Sequence, residues 1–254
     1  MSVSWSAHNG ILELCGRLKL RGIEEHFEEV PHDAVDFEEY LYQLLQYEAA
    51  VREEKSLQNR IRRAHFPCNK FLDELEVDCL PEGMRKRLPE LSSLSFIRNG
   101  QNVIMTGNPG TGKTHCAIGL GLKACEQGFS VLYTTVPYLV TELKECESTK
   151  TLKSYQRRFE KYDLVIADEL GYISFDRAGA DLLFSNLSLR TVGKSTIITT
   201  NLSFERWEEI FGDPVITAAM VDRLTYKAIL IDMTGESYRY RASARYNSGT
   251  AASK

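Results

Sequence analysis

The 254-residue sequence has no long hydrophobic run. No apolar stretch approaches the roughly 18 residues that a membrane-spanning helix requires. The first eight residues also lack the basic and then apolar segment of a secretory signal. These absences predict a cytoplasmic protein that is not associated with a membrane.

Patterns for disulfides and for metal-binding cysteines are missing as well. The six cysteines form no Cys-x-x-Cys pair, and no pair of histidines lies near them at the spacing of a zinc site. Free thiols in a reducing compartment are therefore the better interpretation of these cysteines. With 17 glycines and 7 prolines, the chain is too poor in both residues to be a low-complexity sequence. The length predicts one or two globular domains.

Neither sign of charge dominates the chain. It has 31 Lys and Arg against 35 Asp and Glu, a formal net charge of −4, which excludes a generally basic, histone-like protein. Contacts with nucleic acid would therefore come from local basic groups. Three such groups are present: Arg60, Arg62, Arg63 and Lys70; Arg85, Lys86 and Arg87; and Lys150, Lys153, Arg157, Arg158 and Lys161. Taken one at a time, such groups are more often solvated helix faces than binding sites.

The N-terminal part of the chain has a helical pattern. Eight acidic residues and no Lys or Arg occur between positions 24 and 39. Asp36 and Glu39 form a capping-box pair, which predicts a helix start. Apolar residues then recur at three- and four-residue steps, beginning with Phe37, Tyr40, Leu41 and Leu44. Residues 1–66 are predicted to form a small all-helical domain, and its role stays open between a solubilising acidic face and a domain for partner docking or self-association.

The remainder of the chain divides into a short connecting stretch and an α/β region. Three prolines interrupt residues 67–100, which we interpret as a linker with short helices. Short apolar strands then alternate with helices, and this order predicts an α/β fold with a parallel sheet covered on both faces. We assign this domain to residues 101–246 and interpret residues 247–254 as a disordered tail.

A phosphate-binding motif lies at the start of the α/β region. Residues 107–114 match G-x-x-x-x-G-K-[ST] at every fixed position, between a predicted strand and a predicted helix. The glycines let backbone N–H groups wrap around phosphates, and the helix N-terminus adds partial positive charge. In this motif Lys113 reaches the β- and γ-phosphates and the Thr114 hydroxyl binds Mg²⁺. The predicted ATP-binding residues are Gly107, Asn108, Pro109, Gly110, Thr111, Gly112, Lys113, Thr114 and His115.

Two later strand ends carry polar residues. An apolar strand at 164–167 is followed by Asp168 and Glu169 at its carboxyl end, where open α/β sheets bind ligands. Asp168 is the expected Mg²⁺ partner, and Glu169 is the expected base that polarises an attacking water. Asn201 ends another strand and is placed to hold that water or to sense the γ-phosphate. The combination of the phosphate motif, the Asp168–Glu169 pair and Asn201 favours an ATPase over a small-molecule kinase. Such a kinase uses the same loop and needs no glutamate at the position of Glu169.

Longer segments extend beyond these motifs. They are Arg62–Pro67, the phosphate motif continued through His115, Asp168–Tyr172, Ile210–Pro214 and Gly235–Arg239. In these segments the chain resembles the IstB-like ATP-binding proteins, which are AAA+ helper proteins of bacterial insertion sequences related to the DnaC helicase loaders. The resemblance implies an AAA+ P-loop ATPase core that uses ATP hydrolysis as an assembly switch. It also implies oligomerisation on double-stranded DNA, deformation of that DNA, and recruitment and stimulation of a partner transposase.

The resemblance also assigns roles to single residues. Asp168 and Glu169 match the family's magnesium and hydrolysis pair, and Asn201 matches its sensor. Arg223 matches an arginine finger that reaches a neighbour's ATP, which implies a homo-oligomer with ATP sites between subunits. Only 22 residues follow Asp232, so the usual AAA+ helical lid is expected to be missing, with Arg239 as a partial substitute for a lid arginine.

The basic group at 150–161 resembles an inserted helix that contacts DNA in this clade. The candidate DNA-binding residues are Lys150, Lys153, Arg157 and Arg158, together with Arg60, Arg62 and Arg63. A DnaC-like replicative helicase loader is a close alternative, because it has the same catalytic residues and differs in its partner. A P-loop small-molecule kinase is the alternative of another class, and Glu169, Asn201 and Arg223 argue against it.

Overall fold

The computed structural model describes residues 7–30, 36–190 and 193–240. The chain divides into two compact units, with the boundary between Asn59 and Arg60. Among the helices in the described ranges, none is long and apolar enough to cross a membrane. The tail predicted at 247–254 lies outside the described residues.

The first unit is helical. It contains α1 (Ala7–Leu18), α2 (Arg21–His26) and most of α3 (Phe37–Ala64). The predicted start of α3 is confirmed, because the Glu39 N–H donates a hydrogen bond of 2.8 Å to Asp36 Oδ1. Such a bond satisfies one of the free N–H groups of the first turn.

A small core joins the helices of this unit. Phe27, Val30 and Leu44 are buried, and Tyr40 packs against them. The apolar stripe predicted on α3 is divided between two faces, because Phe37 and Leu41 are 94% and 55% exposed. Residues four apart share a helix face, so Tyr40 and Leu44 form the inner row and the other two an outer row.

The second unit is built on a parallel sheet. Its strands are β1 (Val103–Thr106), β2 (Val131–Thr135), β3 (Leu164–Leu170), β4 (Ser195–Thr200) and β5 (Ile229–Asp232), in the order β2-β3-β4-β1-β5. Every pairing is parallel, which confirms the predicted α/β fold. The order places β4 between β3 and β1, so the carboxyl ends of these three strands are neighbours. Ligands bind at such ends in open α/β sheets.

Helices connect and cover the strands. They are α4 (Glu82–Ser92), α5 (Ser95–Arg98), α6 (Lys113–Glu126), α7 (Val136–Ser148), α8 (Leu152–Lys161), α9 (Arg177–Ser188), α10 (Glu208–Phe211) and α11 (Pro214–Thr225). All six residues of β4 are buried, as expected for a strand covered on both faces.

The stretch at 67–100, interpreted as a linker, contributes to the core of the second unit. It contains two short 3₁₀ turns (Leu72–Glu74 and Val77–Cys79) as well as α4 and α5. Met84, Leu91 and Phe96 are each at most 1% exposed. Pro81 precedes α4 and Pro89 lies within it, and the apolar residues of α4 and α5 pack as core residues do. The domain boundaries themselves stay predictions.

Candidate functional site

The loop from β1 to α6 has the backbone shape that its glycines allow. Gly107, Gly110 and Gly112 all have positive φ angles, of 148°, 81° and 95°. At Gly107 a Cβ atom would also clash with the backbone of Met233, immediately after β5. A side chain is therefore excluded at this position by both conformation and space.

Lys113 begins α6 and turns back over the loop. Its ammonium donates hydrogen bonds of 2.7 Å to the carbonyl oxygens of Gly107 and Asn108. Burial lowers the pKa of Lys113, and the Asp168 carboxylate opposes this shift. A phosphate in the loop would supply the counter-charge that a buried ammonium favours.

Asp168 is the centre of a cluster of hydroxyl groups. It is 1% exposed and accepts hydrogen bonds from Thr114 (3.0 Å), from Tyr133 (2.7 Å) and from Thr199. The Thr114 and Thr199 hydroxyls contact Oδ1, while Tyr133 contacts Oδ2. Burial and the bond to Asp168 raise the pKa of Tyr133 well above its usual range, so this hydroxyl stays protonated and donates.

A β-bulge separates the roles of Asp168 and Glu169. The register of β3 against β4 shifts between Ala167 and Leu170, and Glu169 has a left-handed backbone with φ of 65°. Its N–H donates a hydrogen bond of 3.0 Å to Thr199 Oγ1. Bulges of this kind redirect side chains next to active sites. Asp168 is consequently buried, and Glu169 lines the adjacent cleft.

The electrostatics of Glu169 suit proton transfer. Burial and the neighbouring Asp168 carboxylate raise the pKa of Glu169, and the Arg239 guanidinium lowers it in part. A carboxylate with a raised pKa is a stronger base than one on the surface.

A cleft of about 420 Å³ is lined by Lys113, Thr114, Glu169 and Thr199. The described lining includes Gly110–His115 from the loop, Glu169, Thr199, Thr200 and Arg239, but not Gly107, Asn108 or Pro109. Leu75, Glu76 and Leu80, from the stretch interpreted as a linker, line it from another side. The volume and the mixture of apolar and polar groups are typical of small-molecule sites.

Sequence reasoning missed several of these residues. Tyr238 donates its N–H to the Gly110 carbonyl (2.9 Å) and its hydroxyl to Glu76 (3.2 Å), so it connects the loop to the 3₁₀ turns. No spacing in the sequence indicates this contact. The signal for Thr199 was its position, since it is a polar residue at the carboxyl end of β4, two residues before the expected sensor.

Asn201 lies outside this cleft. It lines a separate cavity with Tyr172, Arg206 and Glu209. Its Oδ1 atom is buried and has no hydrogen-bond partner in the part of the chain that the structure describes. The strand-end residue that contacts Asp168 is Thr199 instead, and a sensor role for Asn201 stays a prediction.

Arg223 does not line the cleft of its own chain, as far as the described residues show. It is exposed on α11, and its guanidinium lies 4.5 Å from the centre of the Phe184 ring. The stacking on Phe184 is the contact observed within the chain. A role at a neighbour's site stays a prediction.

The three basic groups differ in their surroundings. Lys150, Lys153, Arg157 and Arg158 are exposed on or just before α8. Lys86 and Arg87 form ion pairs of 2.6 Å with acidic residues of their own helix, α4.

The basic end of α3 is divided between two environments. Arg60 donates a hydrogen bond of 2.8 Å to the Cys125 carbonyl near the end of α6, while Arg62 and Arg63 are exposed. Arg60 therefore has a structural contact that its assignment as a DNA-binding candidate did not anticipate.

Comparison with known proteins gives a consistent result. The family model of the IstB-like ATP binding proteins matches residues 14–246. The ATP-binding protein of insertion sequence IS5376 from Geobacillus stearothermophilus is 34% identical over 91% of this chain and 94% of its own length. The ATP-binding protein of insertion sequence IS21 from Pseudomonas aeruginosa is 34% identical over 90% of this chain and 88% of its own length.

Solved structures support the same fold. DnaI is similar with a TM-score of 0.56 at 20% identity, over 70% of this chain and 94% of that one. The DnaC helicase loader is similar with a TM-score of 0.54 at 19% identity, over 65% of this chain and 97% of that one. DnaA from Aquifex aeolicus, bound to AMPPCP, is similar with a TM-score of 0.55 at 18% identity, over 71% of this chain and 55% of that one. These likenesses show an AAA+ P-loop fold, and the family match across most of the sequence shows that the chain belongs to the IstB-like ATP binding proteins.

Proposed function

We propose that this protein binds ATP with Mg²⁺ in the cleft and hydrolyses it, and that the bound nucleotide controls assembly on DNA during insertion-sequence transposition. The observation that carries the proposal is the contact of the Thr114 hydroxyl with Asp168, beside Glu169 and the phosphate loop. The relatives in the family are named ATP-binding proteins of insertion sequences, which supports the biological setting.

The oxygen atoms beside the loop fit a magnesium ion. Thr114 Oγ1 and Asp168 Oδ1 are 3.0 Å apart, and both are hard oxygen ligands. In the described part of the chain, no group of three or more His, Cys, Asp or Glu is arranged to hold a metal. Phosphate oxygens and water would complete the coordination, as is usual for Mg²⁺. The ion would neutralise charge that develops on the β- and γ-phosphates.

The chain's own residues would perform the remaining work. The backbone N–H groups of the loop and the Lys113 ammonium would hold the phosphates in a fixed position, where preorganised charge contributes most to phosphoryl transfer. Glu169 would accept a proton from the attacking water. Its position is restrained by the hydrogen bond from its own N–H to Thr199.

Two substitutions separate binding from hydrolysis. Glu169→Gln keeps the shape of the site and removes the base, so ATP binding should persist while turnover falls by about 100-fold or more. Lys113→Ala removes the cation that faces the phosphates and should abolish binding. A fluorescent ATP analogue measures binding and phosphate release measures turnover.

Glu90→Gln is the control for the first substitution, because Glu90 pairs with Arg87 on the surface of α4. It should leave both measurements unchanged. Hydrolysis by Glu169→Gln at the parental rate would show that Glu169 is not the base.

The proposed DNA contact is made by α8 and by Lys150, two residues before this helix begins. Lysines and arginines without a helix inserted into a groove bind phosphates, so affinity should depend on salt and only weakly on sequence. Neutralising Lys153, Arg157 and Arg158 together should weaken binding equally for unrelated duplexes and flatten the salt slope by up to about three units.

Neutralising Arg85, Lys86 and Arg87 removes the same number of charges and serves as the control. Two of these residues are engaged in ion pairs on α4, so the salt slope should be unchanged. A slope that is unaffected by the α8 substitutions would identify that group as a solvated helix face.

The remaining parts of the proposal concern partners. A homo-oligomer would have ATP sites completed by a neighbour's Arg223, and the assembled protein would recruit and stimulate a transposase. A helicase loader is the second candidate, supported by the fold shared with DnaC and DnaI. Immobilised protein with ATP should retain an insertion-sequence transposase and not a replicative helicase, whereas the reverse result would favour a loader.

A further inference from the structure

A second cavity, of about 520 Å³, lies where β2, α7 and α8 meet. We propose that it binds an unstacked base of the DNA whose phosphates contact α8. The inference rests on the proposed DNA binding and extends it, because it specifies a site for a base as well as for the backbone.

The walls of this cavity are unusually rich in aromatic rings. Aromatic residues make up 10% of the chain, yet they are five of the eleven residues that line the cavity. They are Tyr133, Tyr138, Tyr155, Phe159 and Tyr162. Stacking between aromatic side chains and bases contributes strongly to the binding of single strands and tolerates any base, because every base has a π-face.

The rings differ in depth, which gives the cavity a floor and a rim. Tyr133, Tyr155 and Phe159 are buried and form the floor. At the rim, Tyr138 is 64% exposed and Tyr162 is half-buried. The rim rings are therefore accessible to a planar group that enters from solvent.

Polar groups at the cavity suit a base better than a phosphate. The Tyr155 hydroxyl donates a hydrogen bond of 3.0 Å to Glu142 Oε2. The Arg158 guanidinium lies 5.4 Å from the centre of the Tyr155 ring. A carboxylate acceptor and guanidinium donors can both bond to the edge of a base. The same carboxylate would repel a phosphate, so an anionic group is disfavoured inside.

Positive charge lies next to the cavity, on the outer side of α8. Lys153 and Arg157 are exposed and four residues apart, so they share one face of the helix, and Arg158 is adjacent to that face. This arrangement places phosphate-binding cations beside a stacking site. The same combination is found in proteins that bind single strands.

The test compares two strands that differ only in their bases. One is a single strand of roughly 12 nucleotides, a length within the usual site size, and the other has the same phosphates but abasic sugars. The parental protein should bind the first more tightly by about 5-fold to 100-fold, in line with stacking of one or two bases. Replacing Tyr138 and Tyr162 together by Leu should remove this preference and leave the salt slope unchanged, since no charge is lost.

Two control variants accompany the measurement. Replacing Tyr138 and Tyr162 together by Phe keeps both rings and should retain the preference. Tyr42→Leu removes a ring that is 58% exposed in the first unit and should also retain it. Circular dichroism of each variant establishes that it is folded.

Three outcomes would overturn the inference: no preference for bases in the parental protein, a preference that survives the double Leu substitution, or a changed oligomeric state of that variant with unchanged DNA affinity. The last would show that the cavity is occupied by a second copy of the chain. If neither single strands nor duplexes bind at all, the proposed DNA function itself is wrong. Duplex binding with the expected salt slope but without a preference for bases contradicts only the base-binding site.

Discussion

At the scale of single residues, the arrangement around Asp168 is the most informative. Both carboxylate oxygens are engaged, Oδ1 by Thr114 and Thr199 and Oδ2 by Tyr133. Tyr133, the partner of Oδ2, is not among the described residues that line the cleft, so it can orient the carboxylate without competing for a ligand. If Asp168 binds Mg²⁺ as proposed, a group that orients its carboxylate in this way should affect metal affinity strongly.

Tyr133→Phe should therefore weaken the response to Mg²⁺. The substitution keeps the ring and removes only the donor to Asp168 Oδ2. We expect the Mg²⁺ concentration for half-maximal ATP hydrolysis to rise by about 10-fold, the lower end of such effects. Tyr155→Phe is the control, because it removes another buried hydroxyl that donates to a carboxylate, that of Glu142. An equal change in both variants would mean that the effect is structural.

Glu48 is a buried carboxylate in the first unit. It accepts hydrogen bonds from the N–H groups of Gly22 (2.7 Å) and Ile23 (3.4 Å) and from the Arg52 side chain. Burial alone would raise the pKa of Glu48, but the hydrogen bonds together hold it below its usual value of 4.5. Because the folded-state pKa is the lower one, ionised Glu48 stabilises the fold above the unfolded-state value, and this stabilisation disappears as the pH falls through the folded-state value.

Glu48→Gln should lower the free energy of unfolding at neutral pH by about 1–3 kcal/mol, the range for a hydrogen bond to a charged group. The difference between parent and variant should shrink as the pH falls through the lowered folded-state pKa of Glu48, where the parental carboxyl also becomes protonated. Urea unfolding monitored by circular dichroism across this pH range measures both effects. The exposed Glu53→Gln is the control on the same helix and should have no such effect. A difference that is independent of pH would contradict the role of the charge.

At the scale of elements, close approach of helices limits which residues are tolerated. Gly22 in α2 faces α3, and a Cβ atom at this position would lie 2.6 Å from both Glu48 Cα and the Tyr47 carbonyl oxygen. Backbone atoms cannot move away as a flexible side chain can. The spacing of α2 and α3 therefore depends on the absence of a side chain at Gly22.

Gly22→Ala should destabilise the first unit by about 1–3 kcal/mol, the usual cost of overpacking. Gly16→Ala is the matched control on α1, because nothing lies within 4 Å of its Cβ position. Alanine is the better helix former, so this control should be neutral or stabilising by up to about 1 kcal/mol. Limited proteolysis and thermal unfolding of the full chain measure both variants. If Gly22→Ala were as stable as Gly16→Ala, α2 and α3 would be able to move apart without a loss of stability.

At the scale of the whole molecule, the cleft and Arg223 belong to different regions of the second unit. Described residues from the loop, β3, β4, the 3₁₀ turns and the segment 238–239 line the cleft, while Arg223 stacks on Phe184 elsewhere. If Arg223 completes a neighbour's site, an isolated monomer is not a competent ATPase. Activity per molecule should then rise with protein concentration and with DNA.

Mixing two inactive variants tests this arrangement. Arg223→Ala retains its own Lys113 and Glu169, and Lys113→Ala retains its arginine. Each alone should be nearly inactive, but the mixture should regain partial activity because one subunit supplies Arg223 to the intact cleft of the other. Arg177→Ala, at a residue that is 80% exposed on α9, should be active alone and serves as the control. A mixture that assembles but stays inactive would exclude Arg223 as the finger.

Much of the fold and the centre of the site could be predicted from the sequence, because these features depend on neighbouring residues. Short segments rich in apolar and β-branched residues predicted the strands, and the glycine spacing at 107–112 predicted the loop before α6. Asp168 and Glu169 could be selected for the same reason, since they follow an apolar strand directly. The residues that resemble the family added the AAA+ fold and family membership, both of which are confirmed.

The contacts between distant segments were decided by the tertiary structure. The strand order places β4 beside β3, so Thr199 and not Asn201 contacts Asp168. The same order places β2 at the other side of β3, where the Tyr133 hydroxyl contacts Oδ2 of Asp168. The stretch at 67–100 lines one side of the cleft for a similar reason, because its first 3₁₀ turn contacts α6 and its α4 contacts β5, both far away in sequence. Periodicity and motifs reflect only residues that are close together in the sequence. The contacts above depend instead on how separate strands are ordered and packed.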